Sequence, residues 1–120
     1  MSTLVMESKA EYTDVVIFRY TAFETESYFP CMRFETIDPV NNEILATNNY
    51  CEITLPFGDN QVIDTRTEAQ SVEYSDFKFS DNTFTFKVHL VTTIPGAPSF
   101  PLLCSLTLDS DIMSEVSCKF

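Results

Sequence analysis

Apolar and polar positions alternate with a period of two along most of this chain, as in half-buried β-strands, and helical periodicity is scarce. The clearest run is residues 83–92, TFTFKVHLVT. Phe84, Phe86, Val88 and Leu90 share one face; Thr83, Thr85, Lys87 and His89 share the other. Just upstream, Phe77 and Phe79 flank Lys78, and Ser80-Asp81-Asn82-Thr83 forms the link. Pairing Phe79 with Phe84 sets Phe77 against Phe86 and Asp76 against Lys87, an aromatic ladder on one face and opposite charges on the other. The pattern predicts a hairpin that buries all four Phe side chains.

Other strands follow from the same reading. Residues 14–20, DVVIFRY, are apolar on both phases, as in a strand covered on both sides. Residues 31–37 place Met32 and Phe34 on one face and Cys31, Arg33 and Glu35 on the other. A short strand is expected at 43–46, then one at 50–55 with Cys51, Ile53 and Leu55 inward. Residues 102–108 turn Leu102, Cys104, Leu106 and Leu108 inward, and 115–120 turn in Val116, Cys118 and Phe120. A strand near 3–8 completes the set. Residues 21–30 and 59–71 are the longest stretches without strand pattern, and the second has room for a short helix. Short strands separated by Asp, Asn, Ser and Pro turns predict an antiparallel all-β fold: a β-sandwich of jelly-roll or immunoglobulin-like type, or a squat β-barrel. Residues 1–120 fit one domain.

Composition sharpens this picture. Eleven Phe and five Tyr supply aromatic bulk for pleated surfaces, while only two Gly leave the turns to Asn, Asp, Ser and Pro. Eighteen acids against seven bases give a net charge of −11. Such a field repels phosphate backbones and anionic lipid, so direct binding to nucleic acid or to a membrane surface is not expected, and a basic protein partner or self-association is. No apolar run approaches the roughly 18 residues that span a bilayer. The opening MSTLVMESKAEY lacks the pattern of a signal peptide. The four cysteines form no CxxC pair and read as free thiols. Cys51, Cys104 and Cys118 fall on apolar phases, whereas Cys31 falls on the phase of Arg33 and Glu35 and is expected to be accessible. A reducing, cytoplasmic setting follows, or a virus particle assembled in one.

The chemistry available is narrow. Two isolated Gly build neither a P-loop nor a dinucleotide-binding turn, and one His precludes multi-histidine metal motifs. His89 shares the face of Lys87, as a surface histidine would. No enzyme activity and no cofactor are expected. The first alternative to a plain binding module is an acidic inhibitor or nucleic-acid mimic that blocks a basic partner, built on Glu24, Glu26, Glu35, Glu43, Asp64, Glu68 and Glu73. Acids at turns (Asp14, Asp59, Asp81, Asp109 and Asp111) suggest a calcium-dependent binding module as the second alternative. The leading expectation is a non-enzymatic protein-binding or structural module. Its contacts are expected at Glu24, Glu26, Asp64 and Glu68 in the two long loops. A small, acidic, Phe-rich β-domain of this kind is similar in composition, though in no motif, to viral accessory and capsid-associated proteins.

Overall fold

The computed structural model describes residues 5–23, 31–55, 62–93 and 99–119. Eleven strands are present among them: β1 (Val5–Tyr12), β2 (Ile17–Phe23), β3 (Met32–Ile37), β4 (Ile44–Tyr50), β5 (Glu52–Thr54), β6 (Val62–Asp64), β7 (Ala69–Ser80), β8 (Thr83–Thr92), β9 (Ser99–Asp109), β10 (Ile112–Met113) and β11 (Ser117–Lys119). One antiparallel sheet runs β1-β2-β3-β4. The other runs β7-β8-β9, with β10 and β11 both pairing with β9. The small β5-β6 hairpin joins the two. Each large sheet is a run of consecutive neighbours. The molecule is therefore a β-sandwich of two stacked meanders, and its described residues show no sheet-to-sheet crossovers of the jelly-roll or immunoglobulin kind.

Alternation decides which residues meet between the sheets. Phe18, Tyr20 and Ala22 of β2 and Met32 and Phe34 of β3 pack against Tyr74, Phe84, Phe86, Val88, Leu90, Leu102, Cys104 and Leu106 of the second sheet, with Ile53, Leu55 and Ile63 adjoining. Aromatic rings form the centre. Phe84 lies 4.6 Å from Tyr20, 5.3 Å from Phe18 and 5.4 Å from Phe86, centroid to centroid. These are ordinary separations for offset and tilted ring pairs.

The turns are built as a glycine-poor chain requires. Asp81 and Asn82 both adopt positive φ (51° and 59°) between the paired Ser80 and Thr83. That is the two-residue hairpin turn whose twist matches its strands, and Asp and Asn tolerate it best after Gly. Between β1 and β2 the Thr13 hydroxyl accepts from the Val16 N–H at 3.0 Å. Between β3 and β4 the Asp38 carboxylate accepts from the Val40 N–H at 2.8 Å.

Several expectations need correction. The β7-β8 pairing holds Phe79 opposite Phe84, but a bulge at Asp76 and Phe77 breaks the register beyond Lys78. Asp76 sits there at φ 52°. Phe77 therefore does not oppose Phe86; its ring stacks on Tyr20 at 5.0 Å instead. Phe77 and Phe79 are half-buried, whereas Phe84 and Phe86 are fully buried. The Asp76–Lys87 pair forms nonetheless, at 3.0 Å, although register sets Ser75 opposite Lys87. β4 runs through Asn48-Asn49, which look like a turn in sequence, since pairing to β3 overrides their weak strand propensity. No helix occupies the described part of 59–71; it holds β6, a turn at 65–67 and the start of β7.

The cysteines are not free thiols. Cys31 bonds to Cys51 and Cys104 to Cys118, with Cα atoms 4.8 and 4.0 Å apart. Cys31 is fully buried rather than accessible. It precedes the first paired residue of β3, so strand alternation does not govern its direction. Cys104 and Cys118 are directly opposed on β9 and β11, a register that sequence spacing alone does not reveal.

Candidate functional site

The two meanders share their ends. At one end lie the close of β2, the start of β3, the close of β4, and the junction of β7 with the close of β8. There the Phe23 N–H donates to the Cys31 carbonyl, and the Cys31 sulfur sits 3.7 Å from the Thr65 hydroxyl. The Glu68 carbonyl accepts from both the N–H and the hydroxyl of Thr93, at 3.0 and 3.1 Å. Phe23 and Cys31, which flank residues 24–30, thus stand beside the turn bearing Asp64 and Glu68. Glu24 and Glu26 themselves lie outside the described residues.

Asp64 and Glu68 are already occupied. Asp64 accepts from the Arg66 backbone N–H at 2.9 Å and from the Arg66 Nε and Nη2 at 3.0 and 2.9 Å. Those bonds hold its carboxyl below the usual carboxylate range. The Glu68 Oε1 accepts from the Asp64 N–H at 3.1 Å, closing the same turn. Both acids serve the local structure, and the charge of Asp64 is offset by its own neighbour.

At the opposite end, Asp14, Asp81 and Asp109 join Glu11 in lining one open cleft of about 680 Å³. Three of the five acids singled out as calcium candidates are therefore neighbours; Asp111 does not line the cleft, and Asp59 lies outside the described residues. Among the described residues, however, no three His, Cys, Asp or Glu side chains converge in a metal-holding arrangement. His89 is exposed on the outer face of the second sheet, opposite Glu73 in register.

The outer face of the first sheet carries the signal that sequence reading passed over. Register aligns Tyr12, Ile17, Ile37 and Ile44 in one row across all four strands, on the face away from the core. Ile17 and Ile37 are 9% and 7% exposed in the middle, while Tyr12 and Ile44 at the edges are 77% and 53% exposed. A bulge sets Leu45 beside Ile44 opposite Ile37, and the exposed Val15 and Val40 occupy the adjoining turns. Polar residues occupy much of the rest of this face and pair with one another. The Arg19 Nε and Nη2 reach the buried Glu35 Oε1 at 2.9 Å each. Arg33 lies 5.3 Å over the Phe23 ring and donates to the Asn49 Oδ1 at 3.0 Å. The row became legible only when register aligned residues that the sequence separates by up to 32 positions.

Along the β4 side of the sandwich, the gap between the sheets opens into a cleft of about 600 Å³ lined by Asn48, Tyr50, Glu52, Glu115 and Val116 among others, with no basic side chain. The Tyr50 hydroxyl lies 3.1 Å from the Cys118 sulfur. Burial pushes the Tyr50 and Tyr74 phenols well above their ordinary range, so both stay protonated. Among the described residues, no helix is long and apolar enough to cross a membrane. Comparison of the chain with protein-family models, curated proteins and solved structures finds no match.

Proposed function

We propose that this chain is a non-enzymatic protein-binding or structural module whose partner presents a basic and partly apolar contact surface. The observation that carries the reading is the set of exposed apolar side chains Tyr12, Val15, Val40, Ile44 and Leu45 at one end of the first sheet, linked across it by the buried Ile17 and Ile37. Exposed apolar side chains that are contiguous, rather than scattered, mark surfaces that other molecules cover. Acids flank this row in sequence: Asp14 near Tyr12, Asp38 and Glu43 near Val40 and Ile44. In a chain of net charge −11, such a rim attracts a basic partner and opposes nucleic acid. Glu24 and Glu26 extend the same attraction, while Asp64 and Glu68 contribute less because they hold their own turn.

The paired cysteines favour an oxidising setting, or the surface of a particle, over the reducing cytoplasm. The test is affinity capture on the immobilised full chain, followed by reconstitution from purified components. The reading predicts a stoichiometric complex with a protein whose contact face is basic. A reconstituted partner with an acidic contact face, or specific retention of nucleic acid in place of protein, contradicts it.

A further inference from the structure

We infer that the outer edge of β4 receives an extended segment of the partner as an added strand, with a Lys or Arg of that segment seated in the neighbouring acidic cleft. The inference rests on the protein-binding reading and names its site. β4 is the last strand of its sheet, and among the described residues it pairs with β3 alone, so one side of its backbone is unpaired. Exposed edges are normally guarded by charge, bulges or shortness. The opposite edge, β1, carries Lys9 and Glu11 at core-facing register positions, paired with each other at 3.3 Å. β7 carries Glu73, Asp76 and Lys78 and two register breaks. β5, β6 and β11 are three residues long and each holds a charge. β4, Ile44-Leu45-Ala46-Thr47-Asn48-Asn49-Tyr50, is seven residues long and has no charged side chain. Its single bulge lies at the Ile44 end and leaves Ala46–Tyr50 in regular register. Among the described edges longer than two residues, it alone is left open in this way.

The surroundings of that edge specify the occupant. Ile44 and Leu45 offer apolar contact at one end of the strand. At the other end, the cleft beside Asn48 and Tyr50 is lined by Glu52 and Glu115 together with Leu55 and Val116. An added strand places alternate side chains on opposite faces, so one set meets the apolar row and the other enters the cleft. A Lys or Arg suits the cleft, laying its aliphatic stem on Leu55 and Val116 and its cation near the two carboxylates. A second copy of the chain suits it poorly. Antiparallel β4-to-β4 pairing brings Glu43 of each copy toward Glu52 of the other, between molecules of charge −11 each.

Selection of a displayed random-peptide library on the immobilised full chain tests the inference. The selected peptides are expected to alternate apolar and basic residues and to protect the amides of Ile44–Tyr50 from hydrogen exchange in the wild-type chain. Thr47→Lys, which charges the edge, and the double variant Glu52→Gln/Glu115→Gln are each expected to weaken them by about tenfold or more. Selected peptides that are acidic, or that bind both variants as tightly as wild type, overturn the inference. So does a wild-type chain that dimerises through β4. Protection confined to another part of the surface overturns the edge assignment while leaving the protein-binding reading intact. A library from which nothing binds overturns both.

Discussion

Replacing Phe84 by Ala removes the ring around which the core is organised. Phe84 is fully buried, and five aromatic rings surround it: Tyr20 at 4.6 Å, Phe18 at 5.3 Å, Phe86 at 5.4 Å, Phe34 at 5.8 Å and Phe77 at 6.3 Å. Burial of a Phe in a core is worth about 3–5 kcal/mol on truncation to Ala, because the lost transfer energy is joined by a cavity term. Each favourable ring pair adds about 0.5–1.5 kcal/mol. The neighbours come from both sheets and are held by their own strands, so the site cannot collapse to fill the void. The loss is therefore expected at the upper end, about 4–5 kcal/mol, a large part of the roughly 5–15 kcal/mol available to a small domain. Phe79→Ala is the internal control: its half-buried ring at the rim should cost roughly half as much. Equilibrium urea unfolding with an unchanged m-value reads both. Should Phe84→Ala leave too little folded protein, Phe84→Leu provides a measurable step of about 1–2 kcal/mol. A Phe84→Ala loss below about 1 kcal/mol, or a loss no larger than that of Phe79→Ala, refutes the packing described.

The native chain should weigh two hydrogens less per bridge than its fully reduced form, and brief alkylation before unfolding should label no cysteine; labelling of Cys31 in the native state contradicts the pairing. Breaking either bridge by a double Cys→Ala substitution should cost about 3 kcal/mol, given sequence separations of 20 and 14 residues, as read by chemical denaturation. Glu35→Ala should cost about 2 kcal/mol, because it removes a charge-assisted bond from Arg19 that is only partly open to water, and a change within about 0.5 kcal/mol speaks against that bond. The Asp64 and Asp76 carboxyls titrate below their ordinary value, through Arg66 and Lys87 respectively. Their stabilising effect is therefore present above the unfolded carboxylate value and lost as pH falls through the lowered one. Thermal melts between about pH 5 and 2 should lose part of their acid slope in Asp64→Asn, and an unchanged slope contradicts the Arg66 bond.

How much of this was written in the sequence depends on which interactions are local. The 83–92 strand, its turn at Asp81-Asn82 and the pairing of Phe79 with Phe84 follow from alternation and turn chemistry within a few residues, and all three are present. The doubly apolar stretch 14–20 predicts a strand covered on both sides; the strand found there, β2, lies between β1 and β3 but starts three residues later at Ile17 and runs on to Phe23, because residues 13–16 form the preceding turn. What sequence cannot supply is register between distant strands. That register brings Cys104 opposite Cys118, threads Tyr12, Ile17, Ile37 and Ile44 into one row, and sets the bulge that turns Phe77 away from Phe86. Cys31 misleads because it stands one residue before β3, where alternation no longer sets the side chain's direction. Asp64 and Glu68 are read as part of one long loop, yet Asp64 ends β6 and both carboxylates bond across the 65–67 turn, a use indistinguishable in sequence from a free acidic loop.

The proposed recognition of a basic protein by an acidic surface is tested most directly by the rate of that encounter. The association rate of the reconstituted partner, followed by stopped-flow fluorescence from about 20 to 500 mM salt, should fall steeply as the Debye length shrinks from roughly 20 Å to 4 Å, with the dissociation rate much less affected. Reversing Glu24 and Glu26 to Lys should slow association at low salt and flatten the dependence, while leaving the melting temperature nearly unchanged. A wild-type association rate that is indifferent to salt, or a free domain that retards labelled duplex DNA at physiological salt, contradicts the claim.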